Sequence, residues 1–413
     1  MSDKEGFRSN LDGLQGRTTR YDTKKAVQTV WDGCGIRLKV TLVREDGADT
    51  LSFFVSELQG GYRKEMNNSV IVSLRDIVVE FDGQRILDGL NLDIHDKEFV
   101  TLLGSSGCGK TTTLRLIAGF LEPTSGKVLL KGEDITGVPP YKRPVNTVFQ
   151  KYALFPHLNV FENVAFGLRL KKMDEETIRR KVRDMLEVVG LKGFERRSIG
   201  QMSGGQQQRV AIARSLVNEP EILLLDKPLG ALDLKLRKEM QLELKRLQRE
   251  MNITFIYVTH DQEEALTMSD TVVVMNGGKV QQIGTPEDIY NEPKNAFVAD
   301  FIGDSNIVDG VMHRDFLVSF SGVEFPCVDR GFAREESVQV VVRPEDIEVV
   351  SPVEGQLVGV VNDVIFKGVH FEMHVECEGR EWLIHSTRAC TPGETIGMRI
   401  GPNEIHIMSR SEG

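Results

Sequence analysis

The 413-residue sequence contains only five cysteines, and none of them belongs to a CxxC pair of the kind that binds zinc. An odd number of scattered thiols also excludes the disulfide framework of a small secreted protein. We therefore expect reduced thiols in a reducing compartment. The five are Cys34, Cys108, Cys327, Cys377 and Cys390.

Long hydrophobic runs are also missing from the chain. No apolar segment approaches the roughly 18 to 20 residues that a membrane helix needs. The first thirty residues are polar and mixed in charge, so they lack the apolar core of a secretory signal. We expect a cytoplasmic protein whose association with a membrane depends on a partner.

The sequence has no excess of basic residues. It has 51 Lys and Arg against 61 Asp and Glu, for a net charge of −10, whereas proteins that bind nucleic acid need a basic surface. We therefore expect no nucleic-acid partner. The composition, 40% hydrophobic and 27% charged, is that of a soluble protein with ordinary cores, and the length predicts two or three domains.

The N-terminal segment, residues 1–68, differs in character from the rest. Residues 1–25 are polar and predict disorder, and residues 36–58 predict a hairpin that turns at Glu45-Asp46-Gly47. This segment carries no recognisable chemistry. An alternative is that translation naturally starts at Met66 and that the gene has been assigned a start too far upstream.

Two further segments follow. In residues 69–303 strands alternate with helices, and the runs at 98–104 and 221–226, apolar on both faces, predict strands buried in a mostly parallel sheet. A helical insertion, about 151–220, includes a helix that begins after Asp174 and ends at Gly190. Residues 304–413 contain short strands at regular spacing with Gly and Pro turns, which predict an all-β barrel of the oligonucleotide/oligosaccharide-binding (OB) type.

The stretch GSSGCGKTT lies between an apolar strand and an apolar helix and fits the pattern GxxxxGK[ST]. Glycines let the main chain curl so that several N–H groups point at phosphate oxygens, and the helix N-terminus favours their negative charge. The strand–loop–helix context makes a chance Gly-Ser turn a poor alternative. The predicted phosphate-binding residues are Gly104, Ser105, Ser106, Gly107, Cys108, Gly109, Lys110, Thr111 and Thr112.

Three side chains have predicted roles beside the phosphates. Lys110 should reach the β- and γ-phosphates, and the Thr111 hydroxyl should bind magnesium. Asp226 ends the apolar strand EILLLD. A carboxylate at this position is expected to be the second group on the magnesium side of the phosphates. We therefore predict ATP and Mg²⁺ as cofactors.

A second phosphate-binding surface is predicted at QMSGGQQQRVAIARSLV. Ser203 can cap a helix there, while glycines leave its first amides exposed. Taken alone, a well-capped helix is the simpler interpretation. The residues concerned are Ser203, Gly204, Gly205 and Gln206.

With these motifs in this order, the chain resembles the ATP-binding subunits of ABC (ATP-binding cassette) importers over roughly residues 70 to 410. MSGGQ matches the LSGGQ of that family except for Met202, and the resemblance implies an α/β P-loop ATPase fold with a helical subdomain. In the family this segment completes the ATP site of a second copy. The C-terminal barrel is similar to the family's accessory transport-associated domain.

The resemblance also implies roles at further positions. Gln150 matches a residue that senses magnesium and the transport partner, and His260 matches the switch histidine that contacts the γ-phosphate. Asp233 matches an aspartate that crosses the dimer interface. Phe81 stands where an aromatic side chain stacks on adenine, usually a tyrosine.

The importer branch is indicated by FIGDSNIVDGVM, FPCVDRGF and VVRPEDIEVV, which look most like the spermidine/putrescine import ATPases. Other segments are shared with sugar, iron and sulfate relatives, which stay an alternative. The implied partners are two membrane-spanning permease subunits, an extracytoplasmic substrate-binding protein and a second copy of the chain at the cytoplasmic face of the membrane. A role in translation or DNA repair is disfavoured by the single cassette and the acidic charge.

Lys227 departs from the family pattern, which has a glutamate that polarises the attacking water. A charged lysine only donates hydrogen bonds, so it cannot accept the proton of that water. One hypothesis is that the chain binds ATP and dimerises but hydrolyses slowly unless His260 or another acidic group compensates. The other is that Lys227 is a variant of an otherwise ordinary ATPase, and the sequence leaves both open.

Overall fold

A computed structural model of the chain describes residues 69–230 and 232–410, and in the N-terminal segment the strands β1 (Ala26–Trp31), β2 (Arg37–Glu45) and β3 (Ala48–Thr50). These three form an antiparallel sheet in the order β1-β2-β3, with Glu45 paired to Ala48. The predicted hairpin is thus confirmed up to Thr50. The predicted turn at Asp46-Gly47 lies outside the described residues. The predicted disorder of 1–25 and the alternative start at Met66 lie outside the described residues.

The next part of the chain mixes strands and helices. Its strands are β4 (Val70–Phe81), β5 (Gln84–His95), β6 (Phe99–Gly104), β7 (Ser125–Leu130), β8 (Glu133–Asp134), β9 (Val145–Val148), β10 (Ile222–Asp226), β11 (Thr254–Thr259), β12 (Thr271–Asn276) and β13 (Lys279–Gly284). Its helices are α1 (Lys110–Ala118), α2 (Val160–Leu170), α3 (Glu175–Val188), α4 (Gly204–Leu216), α5 (Leu234–Met251), α6 (Gln262–Met268), α7 (Pro286–Asn291) and α8 (Ala296–Ile302).

The central sheet has the order β13-β12-β6-β11-β10-β9 and is parallel except for the edge strand β13. Every residue of β6 is buried, and so is every residue of β10 before Asp226, which confirms the prediction for these two runs. Because adjacent strands are parallel, the carboxyl ends of β6, β10 and β11 lie along one edge of the sheet. That edge carries Gly104, Asp226 and Thr259.

An antiparallel sheet in the order β5-β4-β7-β8 precedes and flanks the central sheet. The alternating strand–helix reading of the sequence did not predict it. Its core is the hairpin β4–β5, in which Phe81 pairs with Gln84 across Asp82 and Gly83. Both turn residues have positive φ, 49° and 80°, as the two-residue hairpin turns that match the twist of the strands require.

The helical insertion consists of α2, α3 and α4. Asp174 caps α3 by accepting a hydrogen bond from the Thr177 amide at 2.8 Å, and Ile178 and Val182 on its inner face are fully buried. Ser203 caps α4, and Gln206 completes the capping box. The predicted helix starts at Asp174 and Ser203 are therefore confirmed.

The last part of the chain is all β. Its strands are β14 (Asn306–Arg314), β15 (Leu317–Phe320), β16 (Val323–Pro326), β17 (Glu336–Val342), β18 (Ile347–Val350), β19 (Leu357–Phe366), β20 (Phe371–Cys377), β21 (Arg380–Ser386), β22 (Thr395–Ile400) and β23 (Ile405–Ser409). They form two five-stranded antiparallel sheets, β16-β15-β14-β17-β23 and β18-β22-β19-β20-β21. Trp382 and Phe325 lie fully buried in their shared core.

The cysteines and the lack of membrane helices were predicted for the whole chain. Four of the cysteines, Cys108, Cys327, Cys377 and Cys390, are buried free thiols, as predicted, while Cys34 lies outside the described residues. Across 69–230 and 232–410, no helix is both long and apolar enough to span a membrane. The residue boundaries of the three predicted segments stay predictions.

Arg343 joins the two parts of the chain after residue 69. Its guanidinium, 5% exposed, donates to the carbonyls of Tyr290 at 2.6 Å, Ala299 at 3.0 Å and Gly303 at 3.2 Å, which belong to the segment around α7 and α8. Burial lowers the pKa of this arginine below its usual value. The arginine stays charged and holds the two parts in a fixed arrangement.

We expect Arg343→Ala to destabilise the protein, because it leaves buried carbonyls without donors. Each unsatisfied buried group costs about 1 to 3 kcal/mol, so the lowest-temperature unfolding transition should fall clearly in a calorimetric scan. Arg334→Ala, at an exposed arginine, is the matched control and should leave the scan unchanged. Equal scans for the two variants would contradict the proposed importance of this joint.

Candidate functional site

The candidate site lies at the carboxyl edge of the central sheet, where the loop after β6 enters α1. Gly104 ends β6 at a point of close approach, since a Cβ there would lie 2.2 Å from the Met275 carbonyl oxygen. Gly109 begins α1 with a φ of 102°, and a Cβ on it would lie 2.5 Å from Leu87 Cδ2. Only glycine fits at these two positions, so the sequence determines this loop shape.

The first turn of α1 is open to an anion. Within the described chain, no side chain caps this helix, and its first turn has no acidic residue. The amides of the first turn therefore have no partner from a cap, and the helix dipole adds to their attraction for negative charge. Ser105, Ser106 and Gly107 of the loop are exposed, whereas Cys108 and Gly109 at its end are buried.

Lys110 lies at the centre of this loop. The side chain is 4% exposed, and Nζ donates to the carbonyls of Gly104 at 2.7 Å and Ser105 at 2.6 Å. Burial lowers the pKa of Lys110, and the positive charge of Lys227 acts in the same direction, while Cys108 and Asp226 raise it. Two main-chain carbonyl oxygens thus hold the ammonium group inside the loop. Phosphate oxygens could take their place as hydrogen-bond acceptors.

Asp226 and Thr111 meet beside the loop. Thr111 Oγ1 donates to Asp226 Oδ1 at 3.1 Å, across a sequence separation of 115 residues. Thr112 follows on the same helix and is partly buried. The structure therefore brings together the hydroxyl and the carboxylate that the sequence predicted on the magnesium side.

Lys227 follows Asp226 in a left-handed conformation, with φ at 46°. Its amide donates to the Val258 carbonyl at 3.0 Å, and its own carbonyl accepts from the Gly230 amide at 3.3 Å. The main chain therefore fixes the position of this residue, and its side-chain charge acts on Lys110. Lys227 stands at the position where the resemblance to ABC importers implies a glutamate.

His260 follows β11 at the same edge and is exposed. The loop that carries it is fixed on both sides, because Thr259 Oγ1 donates to Glu264 at 2.6 Å and Arg237 contacts Asp261 at 3.3 Å. Glu264 is buried and also accepts from Tyr257 at 2.8 Å, and burial raises its pKa. The sequence does not reveal this supporting role, since an acidic residue in a first helical turn is an ordinary capping signal.

Gln150 is exposed, and its amide lies near Gly230, since a Cβ on that glycine would be 3.7 Å from Gln150 Nε2. The segment that follows it is held by Arg214 of α4, which donates to the carbonyls of Tyr152 at 2.9 Å and Ala153 at 2.7 Å. Arg214 therefore connects the loop after Gln150 to the helix of the MSGGQ segment. The sequence showed Arg214 only as a residue that continues this helix.

The MSGGQ segment lies at the head of α4 and packs against the start of α5. A Cβ on Gly204 would approach Leu232 Cδ2 at 3.3 Å, and one on Gly205 would meet Leu236 Cδ2 at 2.8 Å. Gly205 is buried, which corrects the expectation that both glycines leave amides exposed; only Gly204 is exposed. Asp233 caps α5 by accepting from the Leu236 amide at 3.0 Å.

The two predicted phosphate-binding elements belong to separate local clusters. Among residues 69–230 and 232–410, the capping hydrogen bonds of Ser203 and Gln206 are to each other, and the side chains of Lys110 and Thr111 contact their own loop and Asp226. Phe81 is 48% exposed at the end of β4, as a ring available for stacking must be. The roles of these residues stay predictions.

We expect Gly104→Ala to weaken ATP binding by at least about 10-fold, because the added Cβ would displace the loop from the Met275 carbonyl. The dissociation constant of a fluorescent ATP analogue measures this. Gly137→Ala is the matched control, since a Cβ at Gly137 meets nothing within 4 Å, and it should bind as the wild type does. Normal binding by Gly104→Ala would show that this loop does not hold the nucleotide.

The comparisons with known proteins agree with this geometry. The profile of a family described as ABC transporter matches residues 87–230, and that of the TOBE domain matches residues 340–408. Among solved structures, that of cbiO1 from Clostridium perfringens, described as part of the ABC transporter complex cbiONQ, is 32% identical with a TM-score of 0.51. The alignment covers 54% of this chain and 90% of that one. The predicted P-loop ATPase fold with an OB-like C-terminal domain is confirmed.

Curated relatives match over nearly their whole length. The chain is 63% identical over 343 residues to the spermidine/putrescine import ATP-binding protein of Desulfitobacterium hafniense, covering 83% of this chain and 99% of that protein. It is 62% identical over 347 residues to the protein of the same name in Acetivibrio thermocellus, covering 84% and 99%. The chain therefore belongs to the ATP-binding proteins of ABC transporters, in the family whose members are named for spermidine and putrescine import.

Proposed function

We propose that this chain binds ATP and couples its binding and hydrolysis to the uptake of polyamines such as spermidine or putrescine. The observation that carries the proposal is the meeting of Lys110, Thr111 and Asp226 at the carboxyl edge of the sheet, in a chain whose relatives bear that name. The same relatives favour a polyamine over the sugar, iron or sulfate that the sequence left as alternatives.

Magnesium fits the donor set beside the phosphate loop. Mg²⁺ prefers oxygen ligands and commonly keeps one or two protein ligands next to substrate phosphates. The hydroxyl of Thr111 and the carboxylate of Asp226 already lie 3.1 Å apart, and Gln150 would supply a third oxygen. Bound there, the ion would neutralise charge on the phosphates, while Lys110 and the amides of α1 orient them.

A second copy of the chain would complete the site. Ser203 and Gly204 are exposed at the head of α4, and Asp233 adjoins them at the head of α5. Their partners within the described chain are local, so this surface remains available to an ATP held by another copy. Two such sites in a symmetric pair would close around two ATP molecules and open after hydrolysis.

The surface for the membrane partners is proposed around the loop after Gln150. Phe166 and Phe149 are each 39% exposed, and Phe155 packs against Phe166 with the rings tilted by 43° and their centroids 4.6 Å apart. The buried side chain of Asn163 fixes the loop by hydrogen bonds to the Phe155 amide at 2.9 Å and the Leu158 carbonyl at 3.2 Å. A rigid loop with exposed aromatic rings is suited to receive a short helix of a partner.

In this proposal the chain works at the cytoplasmic face of the membrane, below two permease subunits. An extracytoplasmic substrate-binding protein would deliver the polyamine to the permeases. The ATP-binding subunits of this family do not bind the cargo, so no residue of the phosphate-loop site is proposed as a polyamine ligand.

We further propose that Lys227 slows the chemical step. The catalytic set is then His260, Gln150 and Lys227, and none of the three provides the carboxylate that would accept a proton from water. Burial lowers the pKa of Lys110 in the phosphate loop, and the positive charge of Lys227 adds to this effect. Such a charge attracts the γ-phosphate and strengthens ATP binding while leaving the attacking water without a base.

We expect Lys227→Glu to raise the single-turnover rate of ATP hydrolysis by about 10²- to 10⁴-fold, the usual contribution of a general base. Rapid-quench measurement with excess enzyme gives this rate directly. Lys227→Gln is the matched control, because it removes the charge without adding a base, and its rate should stay close to that of the wild type. If the wild type and Lys227→Glu agree within a few-fold, Lys227 does not limit hydrolysis.

We also expect Phe166→Asp to abolish co-purification with the permease subunits and the ATP-dependent uptake of radiolabelled putrescine into membrane vesicles. A charge within the aromatic cluster would be desolvated on docking, whereas ATP binding by the isolated chain should be unchanged. Leu242→Asp, at a 68% exposed position on α5, serves as the control. Full uptake by Phe166→Asp would contradict the proposed docking surface. A lack of polyamine uptake by wild-type vesicles would contradict the proposed cargo.

A further inference from the structure

A cavity lies where the C-terminal sheets meet the segment around α7 and α8. Its volume is about 730 Å³, and its lining includes Tyr290, Asp304, Glu345, His370 and His385. The nucleotide site is built from other residues, at the carboxyl edge of the central sheet. Nothing in the proposed transport function uses this second concave site.

Three side chains from separate elements converge there. Asp304 lies between α8 and β14, Glu372 lies on β20, and His385 lies on β21. One ligand atom from each lies within 4.8 Å of those of the other two. This is a mixed set of an imidazole and two carboxylates, drawn from strands and a loop that the fold holds side by side.

His385 is oriented as a metal ligand would be. Its Nε2 is inaccessible to solvent, has no hydrogen-bond partner among the described residues, and lies 3.8 Å from Glu372 Oε2. Its Nδ1 lies 3.8 Å from Glu345 Oε2. One carboxylate lies beside each ring nitrogen, which resembles the surrounding of a metal-bound histidine, where a carboxylate orients the nitrogen that the metal does not hold.

The main chain at Asp304 is held by hydrogen bonds from Arg343. Arg343 donates to the Asp304 carbonyl at 3.2 Å and to the neighbouring Ser305 Oγ at 2.6 Å. The same guanidinium holds the carbonyls around α8, so the main chain at Asp304 cannot move freely from β20 and β21. Asp304 itself is exposed, and its carboxylate lies within 4.8 Å of the ligand atoms of Glu372 and His385.

The charges around Glu372 leave one of its oxygens available. Lys367 Nζ lies 3.2 Å from Glu372 Oε1, and His374 Nε2 lies 3.8 Å from the same oxygen. Oε2 is the oxygen that faces His385. A cation at Oε2 would share this carboxylate with Lys367, which is 45% exposed and able to turn toward solvent.

We propose that Asp304, Glu372 and His385 bind a divalent transition-metal ion of the Zn²⁺ type. An imidazole nitrogen with carboxylate oxygens suits zinc and its neighbours in the first transition row, whereas Mg²⁺ and Ca²⁺ prefer sites made wholly of oxygen. His370 packs against His385 with the two rings tilted by 35° and their centroids 4.3 Å apart, and it lines the same cavity, so it is available as a further ligand. Such an ion would connect the loop at Asp304 to the C-terminal sheet.

The test uses the full-length chain without nucleotide, so that the phosphate-loop site adds no bound metal. Titration with Zn²⁺ against a chromophoric chelator should reveal a tight site that His385→Ala and Glu372→Gln each weaken by at least about 10-fold, since even indirect changes around a metal cost about 10- to 100-fold. Thermal unfolding gives the second readout. Zn²⁺ should raise the unfolding temperature of the wild type but not that of either variant.

His313→Ala is the matched control. His313 also faces a carboxylate, with Nδ1 2.9 Å from Glu335 Oε2, but lies outside the three-residue cluster. This variant should bind Zn²⁺ as the wild type does, and the unfolding temperatures without metal show whether each variant is folded. Equal Zn²⁺ affinity in the wild type and both folded cluster variants, or no tight site in the wild type, would overturn the proposal.

Discussion

The parallel pairing of β6, β11 and β10 is the constraint on which the candidate site depends. Main-chain hydrogen bonds set Leu103 beside Thr259 and Asp226 beside Val258, so the loops after these strands leave the sheet at one edge. The phosphate loop, the carboxylate of Asp226 and the exposed His260 all belong to those loops. Strand register therefore decides which loops meet at the site, and the side chains on those loops then determine its chemistry.

Helices connect this edge to the rest of the molecule. Arg214 of α4 holds the segment after Gln150 through the carbonyls of Tyr152 and Ala153. Burial lowers the pKa of this arginine, as expected for a guanidinium that has exchanged water for carbonyl oxygens. A partner that presses on the aromatic loop would therefore also act on the helix whose head carries Ser203.

The sequence was sufficient for the parts of the structure that have a local cause. The glycine spacing at 104–109, the apolar runs of β6 and β10, and the caps Asp174 and Ser203 each reflect a short-range steric or hydrogen-bonding demand, and the structure agrees with them. The C-terminal strands were predicted for the same reason. The family and the fold class followed from these motifs taken in order.

What the sequence did not reveal depends on contacts between distant residues. The hairpin β4–β5 was missed although Asp82-Gly83 is a turn signal, because its strands are long and bulged rather than cleanly alternating. Arg343 and Glu264 looked like ordinary charged residues, and only the fold shows which carbonyls or hydroxyls they meet. Gly205 was expected to be open, and it is covered by Leu236 across 31 positions of sequence.

The main chain at Lys227 has a consequence for how this protein can change. A left-handed residue held by Val258 and Gly230 keeps the same course whatever charge its side chain bears, so either sign of charge can occupy the position without rebuilding the sheet edge. Under the proposed role of Lys227, an exchange at this position would change the rate of hydrolysis while the main-chain hydrogen bonds to Val258 and Gly230 remain. Evolution could then alter the speed of the ATPase cycle by a single substitution that leaves the edge of the sheet intact.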